Sequence, residues 1–278
     1  NAMDEPNERK IHKVPKPRLG GLAIYFSFLL GYILYGEINT QMISILIASF
    51  LLIIVGIFDD INSVPARYKF LVQVIAASIV VIYGNLGFTE ISFLGLKFYF
   101  NHFINDIIAI IFIVGITNAI NLIDGLDGLA GGLSVVAIMA YGVIAWGSKW
   151  ISGYQEIAIF AFVLCGAILG FLVFNTHPAK VFMGDTGSLA LGGALATIAI
   201  LTKHELSLLL IGGVFVVETL SSAIQIIAIR KFHKKVFLKA PLHHHFEELG
   251  WEETDIVKLF WVVGLFLAMI GIIYGVWL

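Results

Sequence analysis

The chain has 278 residues, of which 59% are Ala, Val, Ile, Leu, Met, Phe, Trp, Tyr or Cys and 13% are charged, with a net charge of −2 and a mean hydropathy of +0.95. Soluble domains are roughly 45–50% apolar and about 25% charged, so one soluble core of this size could not bury the apolar surface, and disorder, whose mark is low hydrophobicity, is excluded as well. The balanced charge leaves no footprint for nucleic acid, and the single cysteine, Cys165, has no partner for an internal disulfide.

Crossing the hydrocarbon of a bilayer takes about 20 apolar residues. Nine spans are predicted in chain order, at 21–36, 41–58, 70–83, 103–122, 128–146, 155–174, 187–202, 206–229 and 256–278. The first, third and seventh are short and are expected to extend into their flanks. An all-α, polytopic membrane fold follows, because a barrel would need alternating ten-residue strands. The whole chain, 1–278, reads as a single transmembrane domain. Gly, Ala and Ser in 187-GSLALGGALA-196 suit close helix–helix approach in lipid. Between the third and fourth spans, 91-ISFLGLKFYF-100 alternates around Gly95–Leu96 and predicts a small external β-hairpin.

Nine spans place the connecting segments alternately on two sides. The side holding 1–20, 59–69, 123–127, 175–186 and 230–255 carries 13 Lys and Arg, or 14 with Lys258, against three (Lys97, Lys149 and Lys203) on the other. The positive-inside rule puts the first side in the cytoplasm.

Five polar clusters all fall on that side: 9-RKIHKVPKPRLGG-21, 58-FDDINSVPARYKFLVQ-73, 118-NAINLIDGLDGLAGG-132, 180-KVFMGDTGS-188 and 240-APLHHHFEELGW-251. Asp59 and Asp60 are adjacent carboxylates that repel one another and serve best where a cation or proton is handled. A solvated helix end is the plainer reading of that pair. Asn118, Asn121, Asp124 and Asp127 recur at three-residue steps, which on a helix would point amides and carboxylates into one cavity. Asp185 opens a small-residue helix with Thr186 and Ser188 as candidate caps; such an N-terminus can also seat an anion, with the Asp holding a metal. Three consecutive histidines, His243, His244 and His245, cannot converge on one ion, so phosphate or substrate contact fits them better than zinc. Lys13, Lys16, Arg18 and Lys69 add positive charge, although basic loops on this side are also what topology requires. Hard oxygen ligands select Mg²⁺ over Zn²⁺, and the cations suit phosphate. A secondary transporter is the rival reading; it expects charges near the midplane and repeated halves, and neither is found.

On these motifs, in this order, the chain resembles the polyprenyl-phosphate N-acetylhexosamine-1-phosphate transferase superfamily over essentially its whole length. From residue 118 onward it is most similar to the phospho-MurNAc-pentapeptide transferases, on 118-NAINLIDGLDGLAGGLS-134, 181-VFMGDTGSLALGGALATIAILTKHEL-206 and 241-PLHHHFEELGW-251. Its 6-PNERKIHKVPKPRLGGLA-23 instead looks like the GlcNAc-1-phosphate transferases of teichoic-acid and O-antigen synthesis. The family usually has one further span before that segment. The resemblance implies transfer of phospho-MurNAc-pentapeptide from its UDP carrier to undecaprenyl phosphate, giving lipid I and UMP, with UDP-GlcNAc as the alternative donor. It implies Mg²⁺ as cofactor, with Mn²⁺ as a substitute, and a place in the bacterial plasma membrane with the active site on the cytoplasmic face. It leaves room for a homodimer. Asp185 would be the principal Mg²⁺ ligand. Asp59 would be the base toward the acceptor phosphate or, on an older view, a nucleophile; Asp60 would assist, and His243 is counted with these three as catalytic. Asn118, Asn121, Asp124 and Asp127 would hold the donor, with Phe182 stacked on uracil. Lys13 and Lys69 would bind phosphates, and His244 and His245 the donor's phosphate or sugar.

Overall fold

The computed structural model describes residues 3–4, 15–88, 91–93, 96–98, 101–148, 151 and 153–277. Lys13 lies outside the described residues. Two strands, β1 (Met3–Asp4) and β2 (Lys16–Pro17), pair antiparallel ahead of the first helix. The helices are α1 (Gly20–Tyr35), α2 (Thr40–Ile61), α3 (Ala66–Ser78, continued by a π-helical turn to Tyr83), α4 (His102–Ile123), α5 (Leu129–Gly147), α6 (Tyr154–Asn175) and α7 (Gly184–Leu201). They are followed by α8 (Leu208–Ile211), α9 (Gly213–Phe232), α10 (Leu242–Glu248) and α11 (Glu253–Trp277). The protein is an all-α, multi-pass membrane protein: eight of these segments are long and apolar enough to span a bilayer. With 16 residues, α1 is about 24 Å long, short of the roughly 30 Å hydrocarbon core.

An apolar helix stands at each of the nine predicted spans, and the differences have local causes. The third begins at Ala66, directly after Pro65, whose fixed φ suits the residue before a helix. The seventh begins at Gly184, not 187. The expected single span 206–229 is broken: a 3₁₀ turn (Glu205–Ser207) leads into α8, which ends at Gly212, where the backbone leaves helical geometry before α9. Strands β3 (Ile91–Phe93) and β4 (Leu96–Phe98) form the expected hairpin, with Phe93 opposite Leu96. Its centre thus lies one residue before Gly95–Leu96.

In lipid, helices gain nothing from hiding apolar side chains from one another, so close packing must hold them together. The centre of that packing is α7, 15 of whose 18 residues are buried. It is crossed by α1, α2 and α4, and each crossing is a backbone approach at a glycine. A Cβ on Gly56 in α2 would stand 2.5 Å from Thr186 Cα; one on Gly192 in α7 would stand 2.5 Å from Thr117 Cα in α4; and one on Gly21 in α1 would stand 2.5 Å from the Thr186 carbonyl carbon. Two of these crossings converge on Thr186, at the N-terminal turn of α7.

Gly56→Ala should therefore overpack a site where the obstacle is backbone, which cannot rotate away, at a cost of about 1–3 kcal/mol. The expected result is a thermal unfolding midpoint lowered by several degrees in detergent. An unchanged midpoint would mean that α2 and α7 stand further apart.

Candidate functional site

Helices α2, α4, α6 and α9 finish, and α1, α3, α5, α7 and α11 begin, at one end of the bundle. There they enclose a cavity of about 620 Å³, within the usual range for ligand sites. Among the described residues its walls carry seven carboxylates (Asp59, Asp60, Asp124, Asp127, Asp185, Glu247 and Glu253) and three full cations, Lys16, Arg18 and Lys239. Every predicted cluster contributes to the wall.

The first turn of α7 sets the arrangement. Helix starts leave backbone N–H groups without intrahelical partners. Here the cap comes from another helix: the buried Asp60 carboxylate accepts from the N–H of Asp185 (3.1 Å) and of Thr186 (3.0 Å), and from Thr186 Oγ1 (2.6 Å). A carboxylate at a helix N-terminus is also favoured by the helix dipole. The turn is tight because Gly184 has φ +70, and any Cβ there would lie 2.5 Å from Asp60 Oδ2. Thr186 and Ser188 are thus not the caps that the sequence suggested. Thr186 donates to Asp60, and Ser188 Oγ donates to the Gly184 carbonyl at 3.0 Å. The local sequence has no cap of its own at Met183, so Asp60 supplies it.

With its backbone held, Asp185 turns its carboxylate to the cavity. Lys69 Nζ lies 2.9 Å from Asp185 Oδ2 and 3.2 Å from Asp59 Oδ1. Asn121 donates to Asp185 Oδ1 and to Ser188 Oγ, both at 2.9 Å. Asp59 also accepts from the Val64 N–H at 2.8 Å. The adjacent Asp59 and Asp60 therefore have different work, one facing a lysine and the other a helix end.

The three-residue step from Asn118 to Asp127 does not continue on one helix. α4 ends at Ile123, Asp124 is its C-terminal flank, and 124–128 form a turn closed by Gly128 with φ +80. Asn118 exchanges hydrogen bonds with Gln73 of α3, 2.6 Å for its own donor, and is not part of the cavity wall. Asn121, Asp124 and Asp127 are. Asp127 Oδ2 accepts from the Ala179 N–H at 2.8 Å, and the Asp127 N–H donates to Glu253 Oε1 at 2.6 Å. His177 Nδ1 sits 3.3 Å from Asp127 Oδ2 and 3.4 Å from Glu253 Oε2. These three side chains offer ligand atoms mutually within 4.8 Å, so they form a place where a cation could be held. As the structure stands, the imidazole clasps three segments together.

The histidines separate. His243 is completely buried; Glu218 Oε1 accepts its N–H at 2.9 Å, and Glu218 Oε2 lies 3.0 Å from its Nδ1. Its Nε2, without a hydrogen-bond partner among the described residues, lies 2.8 Å from where a Cβ on Gly125 would stand, behind the cavity wall. His244 lines the cavity and pairs with Glu247; desolvation holds its pKa below the ordinary 6.5. His245 faces away and accepts from the Leu238 N–H at 3.2 Å. Phe182 lines the cavity beneath Lys16, whose Nζ is 5.0 Å from the ring centre. Sequence reasoning missed His177, Glu253 and Glu247 in the wall, and Glu218 behind it. The first three were visible only as polar residues in segments already placed on this side; Glu218 was an unexplained acid inside a predicted span.

The model of glycosyl transferase family 4 matches residues 42–203, more than half of the chain. The chain is 43% identical over 284 residues to the phospho-N-acetylmuramoyl-pentapeptide-transferase of Bacillus subtilis (strain 168), covering 94% of this chain and 84% of that protein. It is 40% identical over 296 residues to the protein of the same name from Bacillus velezensis, covering 100% and 89%. A 147-residue alignment with the Geobacillus sp. (strain WCH70) protein of that name reaches 58% identity, covering 53% of this chain and 44% of that relative.

The crowded carboxylates carry a pH signature. Desolvation first, then Asp185 and Asp60, push the Asp124 carboxyl from 3.8 to about 8, with Arg18 opposing. Between those values the folded chain holds a proton that the unfolded chain has released, so this group's contribution to stability falls as pH rises. Asp124→Asn removes the titration. Its melting temperature minus that of the wild type, without divalent cations, should widen from pH 5 to pH 8 and then level off; a difference independent of pH would contradict the placement of Asp124.

Proposed function

The chain belongs to glycosyl transferase family 4, among the phospho-N-acetylmuramoyl-pentapeptide transferases, and from that premise we propose that it transfers phospho-MurNAc-pentapeptide from its UDP carrier to undecaprenyl phosphate, giving lipid I and UMP. The observation that carries the reading is the Asp185 carboxylate, fixed on the capped start of α7 and met by Lys69 and Asn121, in a cavity ringed by acids at one end of a membrane bundle. A relative that aligns over the whole chain, Lys16–Gly21 included, carries the pentapeptide transferase name, which argues against UDP-GlcNAc as donor despite the Pro-Arg-Leu-Gly-Gly pattern. The excess of Lys and Arg on this end supports a cytoplasmic site in a bacterial plasma membrane.

The donor set fits Mg²⁺. Among the described residues the wall carries seven carboxylates, only two of them met by Lys69, and hard oxygens suit Mg²⁺, or Mn²⁺ in its place. Asp185 is the principal ligand in this reading, with Asp124 beside it. When bound, the ion neutralises charge on the donor diphosphate and on the leaving UMP.

The remaining roles belong to the side chains. Lys69, now shared by Asp59 and Asp185, is placed to take a phosphate oxygen. Phe182 offers a flat apolar face to the uracil, and Asn121, Asp127 and His244 hold the donor's polar groups. Asp59 accepts the acceptor's proton when one remains. A phosphate monoester has its second pKa near about 6, so that proton is already largely lost at neutral pH, and Asp59 serves mainly to orient Lys69. His243 acts from behind the wall, supporting the turn that carries Asp124. His245, outside the cavity, has no contact with the donor in this arrangement.

The test is UMP release by the purified protein in detergent with undecaprenyl phosphate and Mg²⁺, each UDP-sugar offered separately. Turnover with UDP-MurNAc-pentapeptide and none with UDP-GlcNAc is expected, and the reverse would overturn the donor. Asp185→Asn should lower the rate by about 10²-fold or more, the scale of losing one charge-stabilising group, while leaving membrane insertion intact. Full activity would remove Asp185 from the chemistry.

A further inference from the structure

The last turn of helix α9 runs into the loop 230-RKFHKKVFLK-239, a segment that the transfer reaction does not use except at its last residue. At His233 the backbone turns left-handed, with φ +53 and ψ 29, and the helix stops. The chain then doubles back and is pinned by one buried side chain. Gln225 Oε1 accepts from the N–H of Val236 and of Phe237, both at 3.0 Å, and Gln225 Nε2 donates to the Phe237 carbonyl at 2.8 Å.

The backbone is thus held while its side chains face outward. Phe232, Val236 and Leu238 are 61%, 58% and 51% exposed. Arg230, Lys231, Lys234 and Lys235 are exposed between them. Among the described residues, none of these four cations has a carboxylate within 4 Å. Lys231 Nζ lies 5.8 Å from the centre of the neighbouring Phe232 ring. A loop bathed in water has no use for three outward apolar side chains, and a protein core has no use for four cations that meet no carboxylate among the described residues. The two together, at the end of a helix that also exposes Leu220, Ile224 and Ile227, fit the boundary between headgroups and acyl chains.

We propose that residues 230–239 form a docking surface for the anionic phospholipid headgroups of the surrounding leaflet. Phe232, Val236 and Leu238 enter among the acyl chains, and Lys231, Lys234 and Lys235 lie against lipid phosphates. An acidic protein partner would account for the lysines and leave the apolar side chains unexplained. The surface ends at Lys239, which lines the cavity, so the lipids it gathers border the site. The inference rests on the multi-pass fold alone and does not depend on the identity of the donor.

The test uses the full chain reconstituted in phosphatidylcholine bilayers with trace spin-labelled phosphatidylglycerol or spin-labelled phosphatidylcholine, and no polyprenyl phosphate. The wild type should restrict the anionic lipid in preference to the zwitterionic one, and high salt should weaken that preference. One cation near an anionic surface is worth up to about fivefold in association, so Lys231→Gln, Lys234→Gln and Lys235→Gln together should bring the ratio close to one. Lys203→Gln, at the opposite end of the bundle, should leave it unchanged. Thermal unfolding checks that the triple variant is folded, and the salt arm on the wild type decides the matter if it is not. A preference that survives the triple variant, or one insensitive to salt, would overturn the proposal. So would restriction of added spin-labelled polyprenyl phosphate with none of phosphatidylglycerol, which would make the segment an acceptor site instead.

Discussion

The Asp60 carboxylate at the first turn of α7 is the interaction on which the site depends. It joins two helices that could not otherwise meet so closely, because the orphan N–H groups of Asp185 and Thr186 and the Thr186 hydroxyl all need an acceptor in a region poor in water. The glycines follow from it. Gly184 admits the turn, and Gly56 and Gly21 let α2 and α1 approach Thr186. The outcome is a backbone fixed in position from which Asp185 projects into the cavity. Leaving three buried donors unsatisfied costs about 1–3 kcal/mol each, a large share of what a membrane bundle has in reserve.

Among the described residues, carboxylates outnumber cations in the wall of the same cavity. Lys69 partly answers this by standing between Asp59 and Asp185, and His177 does so between Asp127 and Glu253. Asp124 is opposed by Arg18 only weakly against its burial and the neighbouring Asp185 and Asp60, and its carboxyl is pushed up to about 8. Natural sites often store strain of this kind where function requires it. A divalent ion with a diphosphate brings balanced charge of both signs, which the mixed wall of carboxylates and lysines can accept together.

Much of this was legible in the sequence. Apolar run length located an apolar helix at each of nine spans, one of them broken at Gly212, since the bilayer sets their length and leaves little choice of secondary structure. The assignment of five clusters to one side holds for the described residues because helices alternate in direction. What spacing could not reveal was contact between clusters. The step of three from Asn118 to Asp127 is interrupted by the 124–128 turn, so Asn118 meets Gln73 while Asn121 meets Asp185. The cap on α7 comes from a residue 125 positions earlier, and no local rule predicts a partner so distant. The three histidines look equivalent as a string, yet α10 turns one inward to Glu218, one to the cavity and one away.

The central claim, that Asp60 builds the cation site by fixing α7 rather than by meeting the ion itself, is open to one direct measurement. Mn²⁺ affinity can be followed by electron paramagnetic resonance for the wild type, Asp60→Asn and Asp185→Asn, at a temperature where all three remain folded. Asp60→Asn keeps one oxygen acceptor but loses the charge and one of the acceptors for α7. The account predicts that it weakens Mn²⁺ by about tenfold, the effect typical of a residue that orients a ligand, with a lowered melting temperature, while Asp185→Asn weakens Mn²⁺ further with little change in melting. Full Mn²⁺ affinity in Asp60→Asn together with a lowered melting temperature would contradict it, because the cap would then hold the helix without shaping the site.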